Sequence, residues 1–290
     1  MSHCVAAILP DRGVVRIGGA DARKFLQGLI TSDMEKAQEG TAIHAALLSP
    51  QGKILFDFFV VPGGDGFLLD APRSAASELA KRLGFYRLRA EVTITEEPGF
   101  AVAAVWGQAP AAPGGVIAYP DPRLPELGYR LLLPAGAGIE ALGCQVAGDD
   151  AYHHLRIGLG VPEGGRDFAY GDSFPHEALL DQLHGVDFAK GCFVGQEVVS
   201  RMEHRGTARK RIVKVEGDAG LPGSGTEVEA GGMPIGSLGS VSGASGLALL
   251  RLDRATEALA AGKPLVAGGV SLRLLRPAFV RFEVPTAASA

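Results

Sequence analysis

The stretch VDFAKGCFVGQEVVSRMEHRG, residues 186–206, sets a cysteine in a glycine-bearing loop ahead of a charged, amphipathic segment. GQEVVSRMEH reads as a short helix starting at Gly195 or Gln196, with Val198, Val199 and Met202 as its apolar stripe. Glycine is acceptable as an N-cap. Glu197 and Arg201 stand at i, i+4 with the acid first, the better order for an ion pair. Cys192 then precedes the positive end of a helix, which favours a thiolate, and Lys190 adds charge two residues away. Gly191 and Gly195 remove side chains from around the sulfur. Against this stands a plainer reading, a small buried hydrophobe, the usual state of a free cysteine. A hydrolytic nucleophile would need a histidine base. His176, His184 and His204 lie near in sequence, and nothing there fixes any of them on the sulfur.

Working outward, the N-terminal side reads as α+β. VVRIGG (14–19) is a strand, and ADARKFLQGLI is a short helix with Phe25, Leu26 and Leu29 on one face. AALLSPQGKILFDFFVV reads as strand, turn at Ser49–Gly52, strand, and PGGDG turns the chain into FLLDAP. This is a meander, not an alternating βαβ series. SAASELAKRLG (74–84) is helical, FYRLRAEVTI (85–94) alternates as a returning strand, GFAVAAVWG (99–107) is a buried strand, and ALLDQL (178–183) is one or two helical turns. Beyond residue 206 the texture changes to short strands separated by glycine-rich turns, the pattern of a small β-barrel. The expected division is residues 1–206, an α+β region of two interleaved subdomains, and 207–285, a C-terminal antiparallel barrel, with an alanine-rich tail frayed at the end.

Bulk composition narrows the classes. The chain has 290 residues, 47% hydrophobic and 21% charged, enough for a sizeable core. A formal net charge of −4 argues against a general nucleic-acid binder. Three widely spaced cysteines, Cys4, Cys144 and Cys192, fit neither a disulfide framework nor a zinc knuckle, and a reducing compartment is the plain reading. The opening MSHCVAAILPDRG lacks a signal-peptide pattern, and no run approaches the ~18 apolar residues of a membrane span. A cytoplasmic location is expected. No dinucleotide fingerprint, Walker loop, H-E-x-x-H or G-x-S-x-G elbow occurs. His153 and His154, as neighbours, point apart and cannot clamp one metal from a regular element. Arg201, Arg205, Arg209, Lys210 and Arg211 form either a solvated charged edge or a seat for a carboxylate-bearing ligand.

KGCFVGQE closely resembles the K-G-C-[FY]-x-G-Q-E signature of the YgfZ family, which is similar to the glycine cleavage T-protein, GcvT. RIGGADARKFLQGLITSDM, ALLSPQGKILFDFFV, FYRLRAEV, DPRLPELGYR, RIGLGVPEGGRDF and FPHEALLDQLHGVDF match in order, so the resemblance covers nearly the whole chain. It implies a folate-binding ring of α+β segments around a central cavity, closed by a C-terminal β-barrel. It also implies assembly, maturation or repair of [4Fe–4S] proteins, with iron–sulfur scaffold or carrier proteins and client enzymes as partners, and neither nucleic acid nor membrane. The family's cysteine falls on Cys192, within the motif Lys190, Gly191, Phe193, Gly195, Gln196 and Glu197. Tetrahydrofolate is the implied ligand. For a flat pterin, Phe25, Tyr86 and Phe193 are the candidate walls, Gln27, Asp70 and Glu197 the candidate polar partners, and Arg205 or Arg209 the candidate bidentate partner of the glutamate tail. A transient iron–sulfur cluster shared with a partner is the implied cargo. The alternative is a tetrahydrofolate-dependent aminomethyl or one-carbon transferase. Ser77 with Glu78, Gly158 and Gln196 stand where the transferases carry functional polar residues, which argues against that chemistry and leaves enzyme activity open.

Overall fold

A computed structural model describes residues 4–206 and 208–286. Two five-stranded sheets and a closed barrel make up the chain. The first sheet has the order β3 (Ile43–Leu48), β4 (Ile54–Gly63), β5 (Gly66–Pro72), β2 (Arg12–Gly18), β6 (Thr93–Glu96), all antiparallel. Its β4–β5 turn has two residues, and Gly64 supplies the positive φ of 63° that such a turn wants at its first position. Helices α1 (Ala22–Gln27) and α2 (Arg73–Tyr86) close one face, burying Phe25, Leu26, Leu79 and Leu83 with Phe58, Val60 and Leu69.

The second sheet has the order β10 (Gln145–Ala147), β1 (Val5–Ile8), β7 (Phe100–Trp106), β9 (Tyr129–Pro134), β8 (Ile117–Pro120). Its β1–β10 pair is parallel. There the expectation about cysteines is corrected. Cys4 and Cys144, 140 residues apart, form a disulfide just ahead of the paired strands, with their Cα atoms 4.9 Å apart. Sequence spacing could not show this, because the parallel register brings the two residues side by side. Helix α3 (Asp149–Leu159) follows.

The barrel closes in the order β11 (Lys210–Gly217), β14 (Ser245–Arg251), β13 (Met233–Ser242), β12 (Glu227–Ala230), β15 (Leu265–Ala267), β16 (Val270–Leu275), back to β11. Closure leaves no strand edge exposed to pair with another chain. Val213, Val215, Val228, Leu250 and Leu274 fill it, with Ala255 of α5 (Leu252–Ala260) in the same core. Helix α4 (Gln196–Arg205) precedes the barrel. Two compact units result, one of residues up to Tyr152 plus Leu183–Gln196, the other of His153–Gln182 plus Glu197 onward. The α+β meander and antiparallel barrel expected from sequence are both present. Thr207, at the expected boundary, and the end of the tail, 287–290, lie outside the described residues.

Local readings needed correction in three places. FYRLRAEVTI is a strand only from Thr93; Phe85 and Tyr86 finish α2, and 87–92 form a turn. ALLDQL is a chain of turns, with Leu179 at φ 62°. Its leucines are buried at 1–2%, so packing set the path against helical spacing. Helices α3 and α5 were not foreseen. In α3 the neighbouring histidines do diverge: His153 Nδ1 accepts from Arg156 Nε at 2.9 Å, whereas His154 Nδ1 meets Ser242 Oγ at 2.8 Å.

Candidate functional site

The motif loop is built as a strap across the first unit. Asp187 N–H donates to Thr31 O at 2.9 Å, and Thr31 Oγ1 donates to Gly185 O at 2.6 Å while accepting from Ala46 N–H at 2.8 Å. Ser32 Oγ donates to His44 O at 2.5 Å, and His44 Nδ1 meets Leu183 O at 3.0 Å. Lys36 and Asp187 add an ion pair at 2.5 Å. Lys190 then pins the middle of the loop. Its ammonium donates to Gln27 O at 2.8 Å, Ile30 O at 2.6 Å and Ser32 O at 3.0 Å, which gives partners to carbonyls left over at and beyond the end of α1. Burial pulls its amine down to about 8, against the upward pull of Asp33 and Asp187. Its three donors are taken up by carbonyls, so Lys190 serves to hold the loop.

Beyond Lys190 the loop turns outward. Phe193 is buried beneath the Lys190 ammonium, which lies 5.5 Å from its ring centroid. Gly195 has φ 79°, and a Cβ there would lie 2.5 Å from Ser49 O, so only glycine can seat the loop on the β3–β4 turn. With Phe193 anchored inward and Gly195 pressed down, Cys192 is left exposed as a free thiol. The buried-hydrophobe reading of this cysteine is therefore excluded. Gln196 begins α4 as expected, and Glu197 pairs with Arg201 at 2.6 Å on its exposed face.

A cavity of about 390 Å³ lies under the strap, between Ser32, Asp33, Ile43 and His44 on one side and Val186 and Phe188 on the other. His44 is 3% exposed; its Nε2 has no hydrogen-bond partner and stands 3.7 Å from Asp57. The volume is in the range of small-molecule sites, and the lining mixes apolar walls with a few polar groups.

Of the residues expected to contact folate, Gln27, Asp70 and Tyr86 do not converge within the first unit, and Arg205 belongs to the second. Gln27 is engaged locally, its amide donating to Asp33 Oδ1 at 3.1 Å and accepting from Met34 N–H at 2.7 Å. Asp70 is fully buried in a different cluster. Arg12 Nε and Tyr119 Oη donate to it at 2.7 and 3.0 Å. Arg130 Nη1 is 3.7 Å away, and Arg130 Nη2 and Arg123 Nη2 both donate to Tyr152 Oη. Arg123 also clamps Asp121 with two donors. All three guanidiniums lie within 4.9–5.7 Å of the Phe59 ring centroid. Burial drives Asp121 upward, and Arg123 and Arg130 overcome it to hold the carboxyl at about 2. Burial and the neighbouring Asp70 keep the Tyr119 phenol well above its ordinary value. Tyr86 ends α2 half-buried against the core, and Arg205 is exposed at the end of α4 in the second unit. Sequence reasoning missed the strap residues Thr31, Ser32, His44 and Asp187, which carry no motif of their own. It also gave no role to the arginines of DPRLPELGYR.

Comparison with known proteins places this architecture. Residues 209–282 match the CAF17 C-terminal β-barrel domain. The chain is 34% identical to the human protein named iron-sulfur cluster assembly factor IBA57, mitochondrial, over 83% of this chain and 76% of that one. It is 33% identical to the mouse protein of that name, over 84% and 77%. It is 36% identical to a Mycosarcoma maydis homologue, spanning 71% of this chain and 56% of the relative. Among solved structures, the glycine cleavage system aminomethyltransferase T from Bartonella henselae superposes with a TM-score of 0.78 at 17% identity, over 99% of this chain and 88% of that one, which shows a shared GcvT-like fold. The relatives are named as mitochondrial proteins, and this overturns the cytoplasmic expectation. Strap, exposed thiol and barrel thus sit in a chain that belongs to the IBA57 family of iron–sulfur cluster assembly factors.

Proposed function

We propose that this chain assists the assembly or repair of [4Fe–4S] proteins, with the Cys192 thiolate as a ligand to cluster iron. The observation that carries the reading is the exposed, unpaired Cys192 on a loop held at both ends by buried contacts. An iron–sulfur cluster needs about four protein ligands. Cys4 and Cys144 are joined to each other, so one thiol remains, and a cluster is cargo completed by thiolates of a scaffold or client protein. The thiol gives up its proton on binding iron, and the family resemblance of KGCFVGQE supports the same cysteine. Cys192→Ser should fold as the parent does and lose maturation of aconitase-type enzymes in a deletion strain. Full enzyme activity in that strain would remove the thiol from the mechanism.

The cavity under the strap is proposed as the seat of a tetrahydrofolate. Gln27 and Asp70 do not fit this ligand, because their polar atoms are engaged inside the protein. Asp33, His44 and Phe188 do fit: Asp33 Oδ1 accepts from Gln27 and Glu35, which leaves Oδ2 for ring N–H groups, His44 has a buried ring nitrogen without a hydrogen-bond partner, and Phe188 is an aromatic wall. When bound, the group would supply a reduced pterin; the residues named would orient it and exclude water. Saturating tetrahydrofolate at a hundredfold its dissociation constant should stabilise the fold by roughly 2.7 kcal/mol. His44→Ala should abolish that shift, and an unchanged melting curve in the parent would dismiss the folate.

A further inference from the structure

We propose that residues 85–89, the end of α2 and the turn after it, form a docking knob for an acidic protein surface bearing an apolar pocket. The chain leaves α2 after Tyr86 and is tied by Arg87 N–H to Gly84 O at 3.2 Å and Ala90 N–H to Arg87 O at 2.8 Å. Its base is packed into the core: Leu79 and Leu83 are fully buried, Val92 is 5% exposed, and Tyr86 packs on the same core. From that base two large apolar side chains face solvent, Phe85 at 64% and Leu88 at 90% exposure.

Leu88 also has φ 44°, in the left-handed region that leucine disfavours. A strained residue persists where its surroundings or its function hold it, and here the side chain gains nothing from burial. The charges nearest to it are basic, with the exposed Glu78 and Glu91 at the flanks. Residues 81–90 include Lys81, Arg82, Arg87 and Arg89 and no acid, in a chain of net charge −4. Arg87 and Arg89 are exposed, and no acidic side chain pairs with either among the described residues. Two apolar anchors ringed by unpaired arginines match an interface whose partner is acidic at the rim.

A protein surface suits these features better than an anionic bilayer. A bilayer recognises charge and apolar area without needing one fixed leucine geometry. The inference rests on the proposed function only in taking a protein of cluster assembly as the partner, and it does not use Cys192.

The test places a photo-crosslinking amino acid at position 85 of the full chain, in cells, with Cys192 intact or as Cys192→Ser. The expected result is one discrete crosslinked protein in both backgrounds, joined through a peptide that is acidic and apolar. Arg87→Glu with Arg89→Glu should reduce that product by about tenfold or more. Leu88→Gly, which relieves the left-handed strain, should keep or raise the Tm while lowering the crosslink by a similar factor. A crosslink untouched by Leu88→Gly, a crosslink only to a second copy of the chain, or tight binding to phosphatidylcholine–phosphatidylglycerol vesicles would each overturn the proposal. Loss of the crosslink in the Cys192→Ser background alone would also overturn it, since the thiol rather than the turn would then hold the partner. A retained crosslink with intact enzyme maturation in Cys192→Ser would instead sink the thiol reading and leave the knob standing.

Discussion

Two polar constructions in the first unit use charge in opposite ways. Under Phe59, Arg12, Arg123 and Arg130 face Asp70 and Asp121, and each buried charge has ion-pair or hydrogen-bond partners within the cluster. At the motif loop, a single buried ammonium, Lys190, is satisfied by three carbonyls, and the nearby thiol is left outside. The first construction joins β2, β5, β8 and β9 through side chains and presents nothing. The second uses a side chain to shape backbone, so that the reactive atom stays free. The comparison teaches that in this chain a buried polar network marks scaffold, whereas the candidate chemistry sits where buried contacts stop.

The largest expected effect breaks the scaffold. Arg130→Met should destabilise the first unit by about 3–5 kcal/mol, because Asp121 and Asp70 stay buried with fewer counter-charges. Chemical denaturation followed by fluorescence checks this. Acid should act on the same cluster next. Asp121 has its folded pKa depressed to about 2, so its contribution is present above the ordinary carboxylate range and is lost as the pH falls from about 4 toward 2. Asp121→Asn should remove that acid step from a plot of stability against pH. A smaller effect tests the strap. Lys190→Met should cost about 1–3 kcal/mol, since three carbonyls lose their donor. It should also raise hydrogen exchange between residues 186 and 196 more than in the sheets. The smallest effect separates the two constructions. Cys192→Ser should move stability by less than about 0.5 kcal/mol, as exposed substitutions usually do. A large loss there would mean the thiol is part of the scaffold after all.

Much of the fold was legible because periodicity reports burial. The β2–β5 meander and the barrel strands carried clear alternation and glycine turns, and α4 began where Gly195 and Gln196 suggested. Residues 85–92 read as strand because FYRLR alternates, yet they end α2 and turn, and Phe85 and Leu88 face solvent. The leucines of ALLDQL kept helical spacing but were buried by turns. For the site, the motif gave Cys192 and its glycines. It could not give Lys190's partners, which lie about 160 residues away along the chain. The same holds for the residues expected to contact folate: Asp70 and Gln27 are plausible ligands by type, and only the fold shows which neighbours they hydrogen-bond.

The sequence by itself determined the α+β class, the C-terminal barrel and the helix after the motif, and the resemblance of KGCFVGQE pointed to the cysteine on which the proposed chemistry turns. The first three follow from local spacing and from residue types that allow few backbone paths. The tertiary structure alone decided that Cys4 meets Cys144, that Asp70 belongs to a buried ion cluster, and that Lys190 holds backbone while Cys192 faces water. Each of those outcomes is set by contacts between distant segments, whose energies depend on which groups burial brings together and which it leaves in solvent.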